Sequence, residues 1–238
     1  NRTPLQIKAM LMNSAETTVF TNQALLPGGL APITRIGGGE LRVNRALAMN
    51  TIAYNRDSLS AALSFGALEA SEPMVVKQTL TVENLSRYER TFTVTPSFRY
   101  ADDQASGAVK VLTRSRLNVS ARGRESLEVT LVIDPNKLPA WTLDGGSRGG
   151  RGDLLNGPEY DGYITLTSGS EKLTVPWHVL PRKAAETSAS LSNSRTGPMV
   201  KLRNRGFDAG DFEVFSLTGQ STKLPRPAPG DPGTAGSN

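Results

Sequence analysis

Short runs of alternating apolar and polar residues dominate the middle of the chain, and this alternation limits the fold more than any other feature. Residues 74–82 alternate as a strand does, Asn84-Leu85-Ser86 follows as a turn, and residues 90–95 alternate again. Further runs of this kind cover residues 60–65, 109–112, 117–120, 126–133, 162–167 and 172–179. Many short strands separated by turn signals predict an antiparallel β-sandwich.

The sandwich must be stabilised by its apolar core, because the sequence contains no cysteine. The absence of cysteine excludes disulfides and cysteinyl metal sites, and the single histidine, His178, excludes zinc sites built from several histidines. Each buried apolar side chain contributes roughly 1.5–3 kcal/mol, so several leucines and valines facing inward suffice to hold such a domain.

The chain is basic, with a net charge of +5 and a pI near 9.6. Basic residues are spread over most of the chain, with a modest cluster at Arg114, Arg116, Arg122 and Arg124. Aromatic residues make up 6% and do not interleave with that cluster, so we interpret it as a solvated strand face and expect no nucleic-acid partner. No run approaches the roughly 18 apolar residues of a membrane span, so none is expected in this chain.

The first 50 residues differ from the middle of the chain because their apolar residues recur at helical spacing. Thr3, Pro4 and Gln6 form the start signal of a helix, with an N-cap, a proline at the first position and a capping box. A loop rich in glycine and proline follows, and residues 40–49 predict a second short helix.

These two predicted helices resemble the end of the catalytic domain of subtilisin-like serine proteases. The first match is Thr3-Pro4-Leu5-Gln6-Ile7-Lys8-Ala9-Met10-Leu11-Met12-Asn13-Ser14-Ala15, and the second is Gly37-Gly38-Gly39-Glu40-Leu41-Arg42-Val43-Asn44-Arg45-Ala46-Leu47. Residues 58–181 resemble the fibronectin type III-like domain of large proteases of the lactocepin kind. This match rests on Val82-x-Asn84-Leu85, on Asn156-Gly157-Pro158-Glu159-Tyr160-Asp161-Gly162-Tyr163-Ile164 and on Leu173-Thr174-Val175-Pro176-Trp177.

The resemblance implies a mainly β fold, in which a fibronectin type III-like sandwich is preceded by two helices from the end of an α/β subtilase domain. It implies two regions, residues 1–55 with the catalytic-domain helices and 56–181 with the sandwich. The sequence pattern after them predicts a polar linker at 181–189 and a partial second β unit within 182–224, with strands at 199–202 and 212–217. Residues 225–238 are rich in proline, glycine, alanine and serine, so they are expected to form a disordered tail. The resemblance also implies that the apolar face of the first helix needs a cover, either from upstream catalytic-domain residues or from a neighbouring copy.

The function implied is the C-terminal portion of a secreted or cell-envelope endopeptidase, which stabilises the catalytic domain or orients protein substrates. Its expected partners are the upstream catalytic domain and the peptide or protein substrates of the parent. The family's catalytic Asp, His and Ser, and its oxyanion-hole Asn, match nothing here. No catalytic, cofactor-binding or metal-binding residue is therefore predicted, and the chain alone is expected to be inactive. No cofactor is expected in this chain, although proteases of this family often carry calcium.

The alternative function is a non-catalytic β-sandwich that binds or adheres at a cell surface. An exposed aromatic platform would favour it, but Tyr100, Trp141 and Tyr160 are scattered along the sequence. The tripeptide Arg151-Gly152-Asp153 in a glycine-rich loop is a second, weak signal for adhesion.

Several other residues could act in catalysis, bind a metal ion or accept a glycan, and most of them are interpreted as structural. His178 has Ser168, Ser170 and Asp161 nearby in sequence, but no nucleophile motif surrounds either serine, so a strand histidine is favoured. Asp102-Asp103 and Asp208-x-x-Asp211 are interpreted as turn carboxylates rather than calcium ligands. Asn84-Leu85-Ser86 and Asn118-Val119-Ser120 match glycosylation acceptors.

Overall fold

The computed structural model describes residues 2–141, 143, 157–195 and 197–209. It contains four helices, which are α1 (Pro4–Asn13), α2 (Ile33–Ile36), α3 (Val43–Ala48) and α4 (Ala101–Ser106), and a 3-10 turn at Pro135–Lys137. The strands are β1 (Thr51–Asn55), β2 (Leu63–Ala70), β3 (Met74–Asn84), β4 (Arg90–Phe98), β5 (Val109–Leu112), β6 (Arg116–Val119), β7 (Arg124–Ile133), β8 (Tyr160–Ser168), β9 (Glu171–Lys183), β10 (Thr187–Ser194) and β11 (Gly197–Asn204).

Two sheets form the body of the protein. One has the strand order β1-β3-β7-β5 and the other β2-β9-β8-β4-β6. Alternate residues of their strands point between the sheets and form one continuous core, and its largest fully buried side chains include Trp177, Phe92, Ile52, Leu63, Leu80, Leu131 and Ile164. The prediction of a mainly β sandwich is confirmed.

The sandwich is not wholly antiparallel, so the prediction is wrong on this point. β2 pairs in parallel with β9, with Leu63 opposite Trp177. These strands are far apart in sequence, and the rest of the sandwich supplies the long connection that a parallel pair requires.

The chain before β1, residues 2–50, is called here the N-terminal segment. Its first helix has the predicted capping box: the Gln6 amide donates to the Thr3 hydroxyl at 3.2 Å, and the Thr3 amide donates to the Gln6 side chain at 3.0 Å. Ala9 and Met10 of α1 are buried in the core of the sandwich. The expectation that the apolar face of α1 needs a cover from outside the chain is therefore wrong for these residues, because the sandwich covers them.

The hairpin β10–β11 forms a separate two-stranded sheet after the sandwich. It occupies part of the region where we predicted a polar linker and a partial β unit. Cross-strand pairing places Leu191 opposite Val200 and Ala189 opposite Leu202, so one face is apolar. Leu191 is 76% exposed, so this apolar face is open to solvent. The predicted strand at residues 212–217 and the predicted tail at 225–238 lie outside the described residues.

Among the described residues, no helix has the length and apolar character required to cross a lipid bilayer.

Candidate functional site: the anchored N-terminal segment

Asn13, at the end of α1, joins the N-terminal segment to both sheets. Its Oδ1 accepts a hydrogen bond from the Ala53 amide at 2.8 Å, and its Nδ2 donates to the Thr174 carbonyl at 3.3 Å. Ala53 lies on β1, the edge strand of its sheet, and Thr174 lies on β9 of the other sheet. The side chain of Asn13 therefore satisfies the free edge of β1 and fixes α1 across the gap between the sheets.

We expect Asn13→Ala to lower the free energy of unfolding by about 2 kcal/mol, because it leaves a buried amide and a buried carbonyl without partners. Urea unfolding followed by tryptophan fluorescence measures this change. Asn118→Ala removes an exposed amide side chain and should stay within about 0.5 kcal/mol of the parent chain. Equal effects of the two substitutions would contradict the role of Asn13.

Arg99, just after β4, binds the loop between α1 and α2. Its guanidinium donates to three backbone carbonyls, those of Thr17 at 2.6 Å, Ala31 at 2.7 Å and Val19 at 2.9 Å. It also donates to the Tyr163 hydroxyl at 3.3 Å. Tyr100 adds a further bond to this loop, from its hydroxyl to the Leu30 carbonyl at 2.9 Å. The planar donor fork of arginine thus holds the loop on the sandwich.

Two carboxylates on the sandwich bind the start of α2. Asp161 Oδ2 accepts from the Ile33 amide at 2.6 Å, and Glu159 Oε2 accepts from the Thr34 hydroxyl at 3.2 Å. Both carboxylates are buried. His178 lies beside them on β9, with Nε2 at 3.1 Å from Glu159 Oε1, although the angle does not suit a hydrogen bond.

Asp103 of α4 completes this group, and we call Asp103, Glu159, Asp161 and His178 the acid–histidine cluster. Within the described part of the chain, four buried side-chain atoms have no hydrogen-bond partner, and all four belong to this cluster: Asp103 Oδ2, Glu159 Oε1, Asp161 Oδ1 and His178 Nε2. Three of these atoms are carboxylate oxygens, so the cluster lacks hydrogen-bond donors.

Burial and the neighbouring charges raise the pKa values of two carboxyl groups in the cluster. Burial raises the pKa of Asp103 to about 7, and the charges of Asp102, Asp161 and Glu159 act in the same direction. Burial also raises the pKa of Asp161 to about 6, while the hydrogen bond from the Ile33 amide opposes this rise. The cluster therefore takes up protons in the mildly acidic range.

Glu171, at the start of β9, anchors the other end of the N-terminal segment. Its carboxylate accepts from the amides of Asn50 at 2.6 Å and Thr51 at 2.9 Å, and it pairs with Arg90 at 2.5 Å. A cleft of about 560 Å³ lies beside it, between the end of α1 and the β8–β9 turn. Its charged residues are largely paired with one another, as in the 3.0 Å ion pair between Arg45 and Glu16.

Several apolar side chains of the N-terminal segment are exposed. Leu47 of α3 is 79% exposed and Ile7 of α1 is 48% exposed, and Leu41 and Val43 are also exposed. These four residues are called the outer face: Ile7 lies on α1, Val43 and Leu47 lie on α3, which contacts α1, and Leu41 just precedes α3. The segment is therefore bonded to the sandwich and also presents exposed apolar side chains.

The residues considered for a catalytic triad are not brought together. Asp161 lies opposite His178, whereas Ser168 lies opposite Glu171 at the other end of the β8–β9 hairpin. Asp161 and Ser168 are seven residues apart on β8, so roughly 23 Å separates them at about 3.3 Å per residue. His178 is a half-buried strand histidine, as predicted.

The carboxylates considered for calcium are placed differently from the prediction. Asp102 and Asp103 lie in the first turn of α4 and not in a tight turn. In the described ranges, no group of three or more acidic or histidine side chains is arranged to hold a metal ion. Asp208 accepts from the amide of Ala209, while Asp211 and Arg151-Gly152-Asp153 lie outside the described residues.

The glycosylation matches separate by exposure. Asn84 is fully buried, and its amide donates to the carbonyls of Tyr88, Val119 and Ser120, so it cannot accept a glycan as folded. Asn118 is exposed on the edge strand β6.

Within the described ranges, the candidate aromatic residues and the basic cluster form no shared binding platform. Tyr160 is buried, Tyr100 binds the loop before α2, and Trp141 stacks with Arg182 at 5.4 Å. Arg124 pairs with Glu83, and Arg114 donates to the carbonyl of Ser126, which fits the interpretation of a solvated strand face.

No sequence pattern points to the anchoring residues Asn13, Arg99 and Glu171. Asn13 falls inside the motif of α1 and Arg99 is one of many arginines. Only the segment Glu159-Tyr160-Asp161 carried a usable signal, since two acids flank a strand start that is otherwise apolar.

No protein-family model matches the sequence, and no curated protein does. Similar solved structures include the FixG-related protein from Vibrio parahaemolyticus, with 12% identity over 55% of this chain and 94% of that chain and a TM-score of 0.34. The PapD-like domain 7 of human CEP192 has 14% identity over 57% and 87%, with a TM-score of 0.31. The C. elegans MSP family member WR4 has 13% identity over 50% and 91%, with a TM-score of 0.27.

These neighbours belong to β-sandwich classes, and at this level of similarity they carry no assignment of family or function. None of the three is described as related to subtilisin. The resemblance to subtilisin-like proteases therefore stays a prediction from the two N-terminal motifs.

Proposed function

We propose that this chain is a non-catalytic β-sandwich module that supports the catalytic domain of a secreted or cell-envelope subtilisin-like endopeptidase. The N-terminal segment would be the joint between the two. One observation carries this proposal: the segment that contains both subtilase-like motifs is packed on the sandwich and also presents the exposed apolar side chains of the outer face.

The physical role would be to hold the end of the catalytic domain in a fixed position. Arg99, Asn13, Asp161 and Glu171 bind the backbone of the segment or the strand that follows it, so the segment moves with the sandwich. An upstream domain packed on the outer face would then be stabilised by the sandwich and oriented relative to it. The sandwich would influence substrate proteins only by holding the catalytic domain in this fixed position.

The joint is tested in a polypeptide that extends upstream of Asn1, in which we expect the nucleophile motif Gly-Thr-Ser-Met-Ala-x-Pro shortly before Thr3. Ile7→Lys combined with Leu47→Lys should destabilise the catalytic domain by about 3 kcal/mol, because two apolar side chains lose their burial. Calorimetry and the half-life of peptide hydrolysis measure the effect.

The matched control is Val75→Lys combined with Leu112→Lys, since both side chains are exposed on the sandwich itself. This control should leave the half-life unchanged. The purified chain of 238 residues should hydrolyse no peptide bond. An upstream sequence without the nucleophile motif, or equal effects of the two variant pairs, would refute the proposed joint.

The alternative is a binding or adhesion module, and the apolar face of the β10–β11 hairpin favours it. Leu191 is 76% exposed and Val200 is 57% exposed, and a surface of this kind fits an apolar partner. This alternative gains support if the outer-face variants leave the upstream polypeptide as stable as before.

A further inference from the structure

We propose that the acid–histidine cluster is a pH-sensitive latch, which holds residues 31–34 on the sandwich in mildly acidic conditions and loosens them as the cluster loses protons. This inference concerns the chain by itself and does not depend on the proposed endopeptidase.

The cluster binds the N-terminal segment directly, through two hydrogen bonds. Asp161 Oδ2 binds the Ile33 amide at 2.6 Å, and Glu159 Oε2 binds the Thr34 hydroxyl at 3.2 Å. Asp161 is 1% exposed and Glu159 is 3% exposed, so closing the segment over them removes both carboxylates from water. Release of residues 31–34 would return them to water.

The closed cluster has too few hydrogen-bond donors for its carboxylate oxygens. The remaining oxygens of Asp103, Glu159 and Asp161 are buried and accept no hydrogen bond. One proton on a carboxyl group turns an acceptor into a donor and removes one of several like charges. His178 Nε2 lies 3.1 Å from Glu159 Oε1 but without the geometry of a hydrogen bond, so it does not supply the missing donor.

The charges around the cluster do not cancel this shortage. The groups that face it are Asp102 and Asp103 from α4, Arg99 and Tyr100 after β4, Glu159, Tyr160 and Asp161 at the start of β8, Tyr163 on β8 and His178 on β9. Arg99 is the one permanent cation among these groups, and its four hydrogen bonds go to three carbonyls and the Tyr163 hydroxyl.

The direction of the pH effect follows from linkage. In the folded chain the pKa of Asp161 is raised to about 6 and that of Asp103 to about 7. The latch requires that release of residues 31–34 readmits water to the whole cluster, which would return both pKa values toward ordinary values near 4. The closed state therefore binds more protons than the open state. Its advantage is complete below the ordinary pKa and is lost as the pH rises through 6 and 7.

The test is hydrogen exchange on the full chain between pH 5 and pH 8, corrected for the intrinsic exchange rate at each pH. The readout is the protection of the amides of residues 33–36 divided by the protection of the β7 amides of residues 127–133. We expect this ratio to fall at least about tenfold from pH 5 to pH 8, because each shifted pKa unit corresponds to a tenfold change in the equilibrium. Division by the β7 value removes the effect of global unfolding.

Three variants identify the groups responsible. Asp103→Asn supplies a permanent amide donor and should keep the ratio high at pH 8. Asp102→Asn touches no buried atom and should move the midpoint to lower pH, because it removes a charge that raises the pKa of Asp103. Asp57→Asn, on an exposed loop, is the control and should follow the parent chain.

A ratio that stays constant from pH 5 to pH 8 in the parent chain would overturn the latch. So would an Asp103→Asn chain that keeps the parent's pH dependence. If Asp103→Asn fails to fold, two measurements still test the latch: the pH dependence of the ratio in the parent chain and the shift of its midpoint in Asp102→Asn.

Discussion

Arg99→Ala is expected to lower the free energy of unfolding by about 3 to 5 kcal/mol, since it removes a charged donor from several buried acceptors at once. The carbonyls of Thr17, Val19 and Ala31 would lose their partner, and the bond to Ala31 is buried, so water would replace it poorly. The loop between α1 and α2 should detach before the sandwich unfolds. Urea unfolding measures the first effect, and limited proteolysis within residues 17–31 measures the second.

Two further variants show whether geometry or charge is responsible. Arg99→Lys keeps the charge but cannot reach three carbonyls with a planar fork, so it should recover less than half of the loss. Arg116→Ala removes an exposed arginine on β6 and should stay within about 0.5 kcal/mol of the parent chain. Full recovery by lysine would mean that charge alone, and not the fork, holds the loop.

Gly162→Ala should destabilise the sandwich by at least about 3 kcal/mol or prevent folding, because the new methyl group has no space. A Cβ at this position would lie 1.9 Å from the carbonyl oxygen of Ser97 and 2.8 Å from Nε1 of Trp177. The Trp177 indole donates to that same carbonyl at 3.1 Å and packs edge-on against Phe98, with ring centroids 5.1 Å apart. The backbone of β4 or β8 would have to move to admit the methyl group.

Calorimetry on the full chain gives the loss of stability, and the near-ultraviolet signal of Trp177 shows whether its packing has changed. Thr167→Ala is the matched control on the same strand, because its side chain is exposed. A Gly162→Ala chain as stable as this control would show that β4 and β8 separate easily at this point.

The strands in which buried and exposed residues alternate could be predicted from the sequence. β5 has the predicted bounds, and β3, β4 and β7 extend the predicted runs by two or three residues, because one face of each strand is more buried than the other. β8 was also predicted, although residues 160–164 are all buried, because its later residues alternate. β1 was missed since all five of its residues are buried, which erases the alternation. β10 was missed because its serines and threonine gave no apolar pattern, and α4 because a six-residue helix is too short for a period.

The candidate site could not be predicted, since its residues act through distant backbone groups. Asn13 and Thr174 are 161 positions apart, and Arg99 reaches carbonyls 68 to 82 positions away. Such contacts depend on how the sheets stack, and sequence patterns report only local periodicity. The acid–histidine cluster has the same origin, because the pairing of β8 with β9 sets Asp161 beside His178.

The position of β9 has a mechanical consequence. β9 lies between β2 and β8, and the chain leaves the sandwich from its end at Lys183. A tension applied from the C-terminal side would pull along β9, across the row of hydrogen bonds to β8, which lies perpendicular to that direction, and across the slanted row to β2. These bonds would have to shear together instead of opening one after another, so this exit should resist pulling better than an exit through an edge strand would.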